Sequence, residues 1–504
     1  MKYDRSDTDQ CVKSVTYNYK TFLVILCFSA ILAFFFLLNS PLHPWTNDLT
    51  GTDSSVFKTV ALMMEKGYMP YKDSFDHKGP LLYILNWIGN QISYYRGIWV
   101  IEYGFLICTF YFIYKIARLS VRPLSAAITL LLSISLLFDY FDHGNLTEEY
   151  AMPFIAIGIY IFLDYLKNGV ISSMRLVISG ACFGAVVLLR VNMIAVWIAF
   201  CGSIFIATVI KKEWRRLGEF VVWFLAGAAI MIVPVITWLA ANDALKQCWE
   251  DYIVFNIKYT SAEGGSAVFS AKWYSFFTFL NTRVFIIALA GILFNLRRQL
   301  YLNITYVACM ILSLILVCMS GMIYAHYGMV LVPLAAYPVS LIFQNVESIE
   351  NTEIFKAVRV LLSVYALSAI IVPEWIELVK EIPGQYEAKE DHLAQAYNGI
   401  TDVIVEHTDQ DDAISVYGNL DIIYVLSQRK HATRYSYQVP GGAARPEIIN
   451  EYMYELGKEL PPVIVTQHYD SIISDFLTEN KYSLIWGEHG EQEDEGLLVF
   501  CRQS

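Results

Sequence analysis

Residues 52–83, TDSSVFKTVALMMEKGYMPYKDSFDHKGPLLY, separate the first apolar run of the chain from the next one. Asp53 is followed by two serines and then by apolar residues at helical spacing, which predicts that it lies in the first turn of a short amphipathic helix. Gly67 is the expected end of this helix, because glycine readily takes the left-handed conformation that stops many helices. The positive end of the helix dipole would favour the carboxylate form of Asp53.

Downstream of this helix, two prolines bound a loop that carries an acid, a titratable ring and a cation in succession. Asp76, His77 and Lys78 stand between Pro70 and Pro80. Read alone, the segment is compatible with a helix cap followed by a solvated loop. Charged residues that cluster beside membrane-spanning segments more often have a function, however, because their desolvation is costly.

The composition is that of a polytopic helical membrane protein. The 504 residues are 56% hydrophobic and only 16% charged, whereas an average soluble domain is about 25% charged. The first apolar run, residues 21–39, is too long for the apolar core of a signal peptide, so we expect it to be retained as a span. The nine cysteines show no spacing that is typical of a metal site or a disulfide framework.

The apolar runs predict about eleven membrane spans. With this count every dense group of lysine and arginine falls on one side, which the positive-inside rule assigns to the cytoplasm together with the N-terminus. The predicted spans are residues 21–39, 97–116, 125–138, 151–166, 176–189, 193–210, 220–240, 273–296, 302–320, 327–343 and 355–372. We therefore expect an integral protein of a bacterial plasma membrane whose C-terminal segment lies outside the cytoplasm.

The chain changes character after residue 372. Residues 373–504 carry a net charge of −15, compared with +4 for residues 1–372. The secondary structure predicted here comprises a helix at 447–460 and strands at 413–417, 462–465 and 497–501. This alternation predicts a small extracytoplasmic α/β domain that follows a membrane domain of residues 1–372, in which the outer loop 40–96 would carry the active site.

Candidate catalytic groups collect at the span ends that are predicted to face outward. Asp53 and Asp76 belong to the first outer loop, and Glu148 and Glu149 belong to the second. Paired carboxylates suit either general-base catalysis on a hydroxyl group or the binding of a divalent cation. The simpler interpretation is that these outer loops are acidic without any catalytic role.

Two further sites stand out near the predicted outer surface. Arg190 is a lone arginine between two apolar runs, which is costly unless its guanidinium pairs with an anion or reaches the interface. An arginine at the outer membrane interface suits bidentate binding of phosphate. The alternative is that Arg190 only extends its charged group to the interface without binding a ligand. His326 and Tyr327 open the tenth predicted span, where an interfacial aromatic belt is the alternative interpretation.

These motifs together resemble the GT-C membrane glycosyltransferases, in particular the protein-mannosyltransferase and aminoarabinose-transferase families. In those families an acidic residue opens a helix parallel to the membrane, and a lysine followed by proline and leucine comes downstream. Asp53 and the sequence Lys78-Gly-Pro-Leu81 match this pattern, within a resemblance that covers residues 40–343. The chain departs from the pattern in two places. Ser54 stands where a second acidic residue is common, and the acidic residue that usually directly precedes the lysine is here Asp76, two positions before Lys78.

The resemblance implies a GT-C fold with about eleven transmembrane helices and an extracytoplasmic α/β domain. It also implies a transferase that moves a sugar from a polyprenyl phosphate to a hydroxyl acceptor on a lipid, a cell-surface glycan or a protein, by one inverting displacement. Asp53 would then be the catalytic base, and Lys78 and Arg190 would bind the donor phosphate. The candidates for acceptor or metal binding are Asp76, His77, Glu148, Glu149, His326 and Tyr327. The only cofactor implied is a divalent cation, which these carboxylates could hold. The implied partners are membrane lipid, the polyprenyl-phosphate-linked sugar and the lipid, glycan or protein acceptor, and no nucleic acid is implied.

Two other functions are compatible with the sequence. A transporter or flippase of lipid-linked sugars would be expected to carry charges inside its spans and to contain repeats with broken helices, whereas the charges here gather at span ends. A non-catalytic assembly or sensing protein would use the C-terminal domain as its active part. Replacement of Asp53 distinguishes these functions, because it should abolish turnover only if the protein is an enzyme.

The predicted orientation can be tested by cysteine labelling in intact cells. Asp142→Cys and Glu263→Cys should react with a membrane-impermeant thiol reagent, because both residues are predicted to lie outside. Trp214→Cys should react only after the cells are permeabilised, since basic cytoplasmic residues surround it. Labelling of Trp214→Cys in intact cells would mean that a span has been miscounted.

Overall fold

The computed structural model describes most of the chain. Outside the described residues lie the polar N-terminus, residues 1–18, and Glu263. The described residues are 19–46, 49–262, 273–274, 277–279, 283–320, 324–348, 353–386, 392–438, 442, 445–487 and 497–503. They form a bundle of helices that is followed by a five-stranded sheet. The predicted polytopic helical protein with a C-terminal α/β domain is therefore confirmed.

The apolar helices coincide with the predicted spans. Those long and apolar enough to cross a membrane are Tyr19–Asn39, Ile98–Arg118, Thr147–Asn168, Trp214–Ala241, Leu300–Val317 and Ala325–Ser348. Shorter apolar helices are Pro123–Phe138, Ser173–Leu189, Ala195–Ile210 and Val284–Asn295. Each predicted span up to residue 343 corresponds to one of these helices, and the last one corresponds to the helix Glu353–Ala366.

The other helices connect the spans or belong to the C-terminal domain. The α-helices are Thr52–Glu65, Pro80–Ile92, Leu245–Cys248, Phe255–Ala262, Val372–Tyr386, His392–His407, Ile422–Ser427, Glu447–Glu459 and Ser471–Glu479. The 3-10 segments are Leu37–Asn39, Val191–Met193, Cys318–Ser320 and Ala325–Val330, and the π-helical segments are Trp249–Val254 and Leu367–Ile371.

Glycine allows two of the spans to cross at unusually short range. A side chain on Gly180 would bring its Cβ within 1.9 Å of the carbonyl oxygen of Phe224, and one on Gly227 would approach the oxygen of Val177 equally closely. Small residues at such crossings let helix backbones meet in membranes, where packing rather than hydrophobicity drives association. This crossing fixes the helix whose C-terminal end is followed directly by Arg190.

The last span does not end where the composition changes. The π-helical segment Leu367–Ile371 ends two residues before Pro373, and an α-helix that begins at Val372 continues to Tyr386. Proline lacks a backbone N–H and breaks the α-helical hydrogen-bond ladder, so a local change of helix type is the expected response. The chain thus enters its C-terminal part as a continuous helix.

The C-terminal sheet has the strand order β2-β1-β3-β5-β4. Its strands are β1, Ala413–Tyr417; β2, Lys430–His431; β3, Val463–Thr466; β4, Tyr482–Trp486; and β5, Leu498–Arg502. β2, β1 and β3 are parallel, whereas β5 runs antiparallel between β3 and β4. β1, β3 and β5 and the helix Glu447–Glu459 lie within about one residue of their predicted positions, since their short buried apolar runs are a clear strand signal.

The C-terminal domain rests on one end of the helix bundle, which we call the capped end. Thr59 donates to the backbone oxygen of Asp421 (3.1 Å), and Ser74 hydrogen-bonds His431 (2.9 Å). The backbone N–H of Phe75 donates to the oxygen of Arg434 (2.8 Å). These contacts join the domain to the helix Thr52–Glu65 and to the loop that follows it.

One carboxyl group at this junction is buried with little compensation. Asp421 is fully buried, and neither of its carboxylate oxygens has a hydrogen-bond partner among the described residues. Burial raises the pKa of Asp421 to about 7, and the nearby Asp76 adds to the rise, while the hydroxyl groups of Ser436 and Thr59 offset only part of it. The folded protein therefore holds a proton that the unfolded chain releases near pH 4.

The stability of the protein should depend on pH through Asp421. A folded-state pKa above the unfolded value gives a contribution that is present at low pH and is lost as pH rises from about 4 to about 7. We expect Asp421→Asn to melt above the wild type at pH 8 and to show a smaller advantage at pH 5, measured by thermal denaturation in detergent. Asp475→Asn is the matched control, because Asp475 is exposed in the same domain. Parallel melting curves for Asp421→Asn and the wild type across this range would contradict the assignment.

Candidate active site

Asp53 lies in the first turn of the helix Thr52–Glu65, as predicted. Gly51 precedes the helix without a capping side chain, so the free N–H groups and the positive end of the dipole face the Asp53 region. The helix ends at Glu65, and Gly67, the predicted stop, takes the left-handed conformation two residues later with φ of 88°. About half of the Asp53 side chain is exposed. Asp53 is thus a carboxylate held by a rigid helix and still accessible from outside the fold.

Lys78 faces Asp53 from the loop. Its Nζ lies 4.0 Å from Oδ2 of Asp53, and its side chain is only 10% exposed. Tyr71 and Tyr83 both donate hydrogen bonds to the backbone oxygen of Lys78, at 2.8 and 3.2 Å. The position of this cation is therefore set by the backbone of the loop as well as by its own contacts.

Gly79 brings the loop against the end of a span. Its N–H donates to the oxygen of Leu189 (3.0 Å), and a Cβ at this position would lie 2.1 Å from the oxygen of Leu188. Only glycine allows this approach. Because Leu189 directly precedes Arg190, the close contact brings the cation of the loop and the cation at the span end to one place.

Arg190 is paired with a buried carboxylate. Its guanidinium hydrogen-bonds Glu148 and lies over the ring of Tyr327, 4.3 Å from the ring centre. The other oxygen of Glu148 accepts a hydrogen bond from Thr147 (2.7 Å). Arg190 is therefore not a lone interfacial arginine, and Glu148, which the sequence suggested as an acceptor or metal ligand, is its partner here.

Asp76 and His77 differ in their surroundings although they are adjacent. Asp76 is buried and accepts hydrogen bonds from Tyr83 (2.7 Å), from Tyr437 of the C-terminal domain (2.9 Å) and from the N–H of His77 (2.7 Å). Burial raises the pKa of Asp76, against the opposing effect of Lys78 and these donors. Burial, together with the charge of Lys78, holds the pKa of His77 well below its usual range, so its ring is neutral.

Glu149 belongs to a buried polar network rather than to an open site. Glu149 and Glu102 both accept hydrogen bonds from the backbone N–H of Asn145, at 2.9 and 2.5 Å. The side-chain amide of Asn145 in turn donates to Ser54 (2.8 Å) and to Asn86 (2.9 Å). Since Ser54 is the neighbour of Asp53, this network fixes the start of the helix Thr52–Glu65 against the spans.

The rings of His326 and Tyr327 touch each other edge to face, with their centres 4.8 Å apart, but the two side chains have different charged partners. The Nδ1 atom of His326 lies 3.1 Å from a carboxylate oxygen of Asp142, and the ring stacks on Tyr324. The hydrogen bond from His326 lowers the pKa of Asp142 and thereby keeps it ionised. Tyr327 instead faces Arg190. The two residues therefore have different neighbours, although they are adjacent in the sequence.

A cavity of about 340 Å³ brings several of these residues together. His77, Lys78, Arg190 and Tyr327 line its polar end. The rest of the wall is formed mainly by apolar side chains, namely Val191, Ile194, Ile198, Ile253, Ile257, Leu316 and Met319. Such a cavity suits a ligand with an anionic head and an apolar tail. In the described part of the chain no three His, Cys, Asp or Glu side chains are placed to hold a metal ion.

Some residues of the site and of its supporting network were not among those predicted from the sequence. Glu102 could have been found, because a carboxylate inside a predicted span is costly and therefore noteworthy. Tyr252 and Asn256 line the cavity from a polar connecting segment that carried no motif. Tyr437 lies 361 residues from Asp76 in the chain, and no local signal could have connected them.

Comparison with solved structures identifies the fold. ArnT from Cupriavidus metallidurans, bound to undecaprenyl phosphate, aligns with a TM-score of 0.60 at 12% identity over 96% of this chain and 98% of that chain. The archaeal oligosaccharyltransferase AglB from Archaeoglobus fulgidus, in complex with an inhibitory peptide and a dolichol-phosphate, aligns with a TM-score of 0.54 at 13% identity over 88% and 69%. The fold is therefore that of the GT-C membrane glycosyltransferases, as the resemblance predicted.

Sequence comparison gives a second result. A search of curated proteins returned no match. The family model of the putative competence-induced protein Ccs4 N-terminal domain matches residues 10–358, which include all the cavity-lining residues and reach into the helix Glu353–Ala366. Since this match covers more than half of the chain, the protein belongs to the Ccs4 family defined by that N-terminal domain.

Proposed function

We propose that this protein is a glycosyltransferase that moves a sugar from a polyprenyl phosphate to a hydroxyl group of a lipid, a cell-surface glycan or a protein. The observation that carries the proposal is the cavity in which Lys78 and Arg190 form a cationic end, with Asp53 4.0 Å from Lys78. A polyprenyl phosphate has the same division into an anionic head and an apolar tail. The proposal therefore rests on the match between one cavity and one class of donor.

The two cations suit the leaving phosphate. They come from separate parts of the chain, and the hydrogen bond between Gly79 and Leu189 fixes these parts together. Negative charge that develops on a leaving group is best stabilised by charges that are already held in position. Arg190 keeps N–H donors in a planar fork that matches phosphate oxygens, although Glu148 already occupies part of it.

The apolar part of the cavity suits the prenyl chain. Ile198 and Ile257, which line it, are also exposed on the side of the bundle. In a protein that spans a membrane, this surface meets lipid tails rather than water. A polyprenyl chain could therefore enter from the bilayer with its phosphate directed towards Lys78 and Arg190.

Asp53 would act as the general base of a single inverting displacement. Its carboxylate takes the proton of the acceptor hydroxyl, and the hydroxyl oxygen forms a bond to the anomeric carbon of the sugar. The bond from that carbon to the phosphate oxygen breaks, and the polyprenyl phosphate leaves with the electron pair. The half-exposed position of Asp53 leaves room for an acceptor, whereas Asp76 and Glu149 are occupied by buried donors.

The comparisons support the donor class. The solved structures with the same fold contain undecaprenyl phosphate or a dolichol-phosphate. We extend the proposal to the arrangement expected from the sequence: residues 1–372 form the catalytic membrane domain, loop 40–96 carries the active site, and residues 373–504 form a domain outside a bacterial plasma membrane. The N-terminus would then be cytoplasmic.

Removal of the base tests the catalytic part of the proposal. Asp53→Asn should leave folding and membrane insertion intact but reduce transfer by at least roughly a hundredfold, because general-base catalysis typically contributes about 10²–10⁴-fold. The measurement is turnover of purified protein with a polyprenyl-phosphate sugar, alongside release of glycans from cells with and without the gene. Asp243→Asn is the matched control, since Asp243 is exposed and has φ of 57°, which asparagine tolerates well. Near-normal turnover in Asp53→Asn would refute the base assignment, whereas a purified wild type that transfers no sugar would leave a transporter as the alternative.

Removal of the buried ion pair tests the donor site. Arg190→Ala alone would strand Glu148 as an unpaired buried charge, so Glu148→Gln/Arg190→Gln, which removes both charges, is the sharper variant. We expect its KM for the lipid-linked sugar to rise roughly tenfold to a hundredfold, since a charge-assisted hydrogen bond contributes about 1.5–3 kcal/mol. Arg190→Lys should retain part of the affinity because it keeps the charge without the planar fork.

The matched control for this experiment uses the same two spans. Asp164 and Arg175 form an ion pair between the opposite ends of the helices that carry Glu148 and Arg190. Asp164→Asn/Arg175→Gln should therefore alter stability without altering KM for the donor. Unchanged KM in Glu148→Gln/Arg190→Gln would remove Arg190 from the donor site and leave Lys78 as its cation.

A further inference from the structure

One of the hydrogen bonds between the C-terminal domain and the loop that carries Lys78 reaches the carboxylate of Asp76. The hydroxyl of Tyr437 donates to Oδ1 of Asp76 over 2.9 Å, and both residues are buried. Asp76 has two other donors, the hydroxyl of Tyr83 and the N–H of His77. The C-terminal domain thus supplies one of the three contacts that satisfy a carboxylate of the membrane domain.

Asp76 and Lys78 belong to one hydrogen-bonded unit. Tyr83 donates both to Asp76 and to the backbone oxygen of Lys78, and Tyr71 donates to the same backbone oxygen. A change in the hydrogen bonding of Asp76 therefore reaches the backbone that carries Lys78. The ring of Tyr71 also packs against the ring of Tyr83 at a centroid distance of 5.6 Å, so the two donors to the backbone oxygen of Lys78 are in contact with each other.

The same part of the C-terminal domain follows the loop over several residues. The side chain of Arg434 donates to the backbone oxygen of Tyr71 at 2.7 and 2.9 Å and also pairs with the buried Asp251. The ring of Phe75, which is buried, packs between the rings of Tyr435 and Tyr437. The loop that carries Lys78 is therefore shaped against the C-terminal domain and is not a free loop of the membrane domain.

We infer that Tyr437 is a positioning residue of the donor site, which acts through Asp76 to hold Lys78 in the place where it meets the phosphate of a polyprenyl phosphate. This inference rests on the proposed function and extends it to the C-terminal domain. It assigns that domain a part in donor binding, although none of its described residues lines the cavity. The physical reason is that the buried carboxylate of Asp76, if it loses a donor, either moves to another partner or takes up a proton. Either response changes the conformation of the loop that carries Lys78.

The experiment is a direct binding measurement on the full-length protein in detergent, with undecaprenyl phosphate as the probe. Tyr437→Phe removes only the hydroxyl and keeps the ring contact with Phe75. We expect its Kd to be roughly tenfold weaker, the size of effect that follows the loss of one hydrogen bond to a charged group. Tyr417→Phe is the matched control, because it removes a tyrosine hydroxyl that bonds Asp470 elsewhere in the same domain. The control should bind like the wild type.

A double-mutant cycle tests whether the effect passes through Lys78. Lys78→Ala should weaken binding by itself, and Lys78→Ala/Tyr437→Phe should be no weaker than Lys78→Ala, because a positioning residue has no effect once the group it positions is gone. A residue that only stabilised the fold would lower the melting temperature without showing this non-additivity. Additive effects of the two changes would overturn the inference.

The outcomes separate this inference from the proposed function. Unchanged binding in Lys78→Ala would refute the proposed donor site itself. If Lys78→Ala binds undecaprenyl phosphate more weakly but Tyr437→Phe has the same Kd as Tyr417→Phe, only the role of Tyr437 is overturned. Asp76→Asn alters the same hydrogen bond from the side of the loop. We expect it to weaken binding of undecaprenyl phosphate, and we expect Tyr437→Phe to have no further effect when Asp76→Asn is already present. If Tyr437→Phe fails to fold, Asp76→Asn with the same Lys78→Ala cycle decides the question.

Discussion

A carboxyl group that is removed from water either receives hydrogen-bond donors or, as at Asp421, keeps its proton, and this constraint organises the capped end of the bundle. Glu148 receives the guanidinium of Arg190, Glu149 and Glu102 share the N–H of Asn145, and Asp76 receives two tyrosine hydroxyls. Because burial of an uncompensated charge costs several kcal/mol or more, these partners are obligatory. They join spans, connecting loops and the C-terminal domain into one structure.

The same constraint separates two kinds of acidic residue. Acidic residues of the first kind accept hydrogen bonds from buried donors and stabilise the fold. Asp76 is the clearest example, because both of its carboxylate oxygens accept hydrogen bonds from buried groups. Asp53 lies at the start of a helix, has the cation Lys78 at 4.0 Å and remains half exposed. A carboxylate in that position is available to a substrate hydroxyl, which is why the proposed chemistry centres on Asp53 and not on the better protected acids around it.

The fold and parts of the site could be predicted because their signals are local. The apolar runs, the helix start at Asp53 and its end just before Gly67 follow from the lengths, spacing and conformational preferences of neighbouring residues. The close approach of the loop to Arg190 was not predictable, since it depends on Gly79 meeting Leu188 and Leu189, which are distant in the sequence. The role of Glu149 was equally hidden, because its partner Asn145 also bonds Glu102 on a different span.

By itself, the sequence determined that the chain forms a helical bundle with a C-terminal α/β domain, and that Asp53 begins a short helix beside the charged loop. Hydrophobic length and helix-capping chemistry act over a few residues, so both can be read in order along the chain. Only the tertiary structure decided which charges pair, which line the cavity and which are withdrawn from it. That Arg190 pairs with Glu148, and that Tyr437 reaches Asp76 from the other end of the chain, depends on how distant segments pack, since burial and hydrogen-bond geometry are properties of the assembled fold.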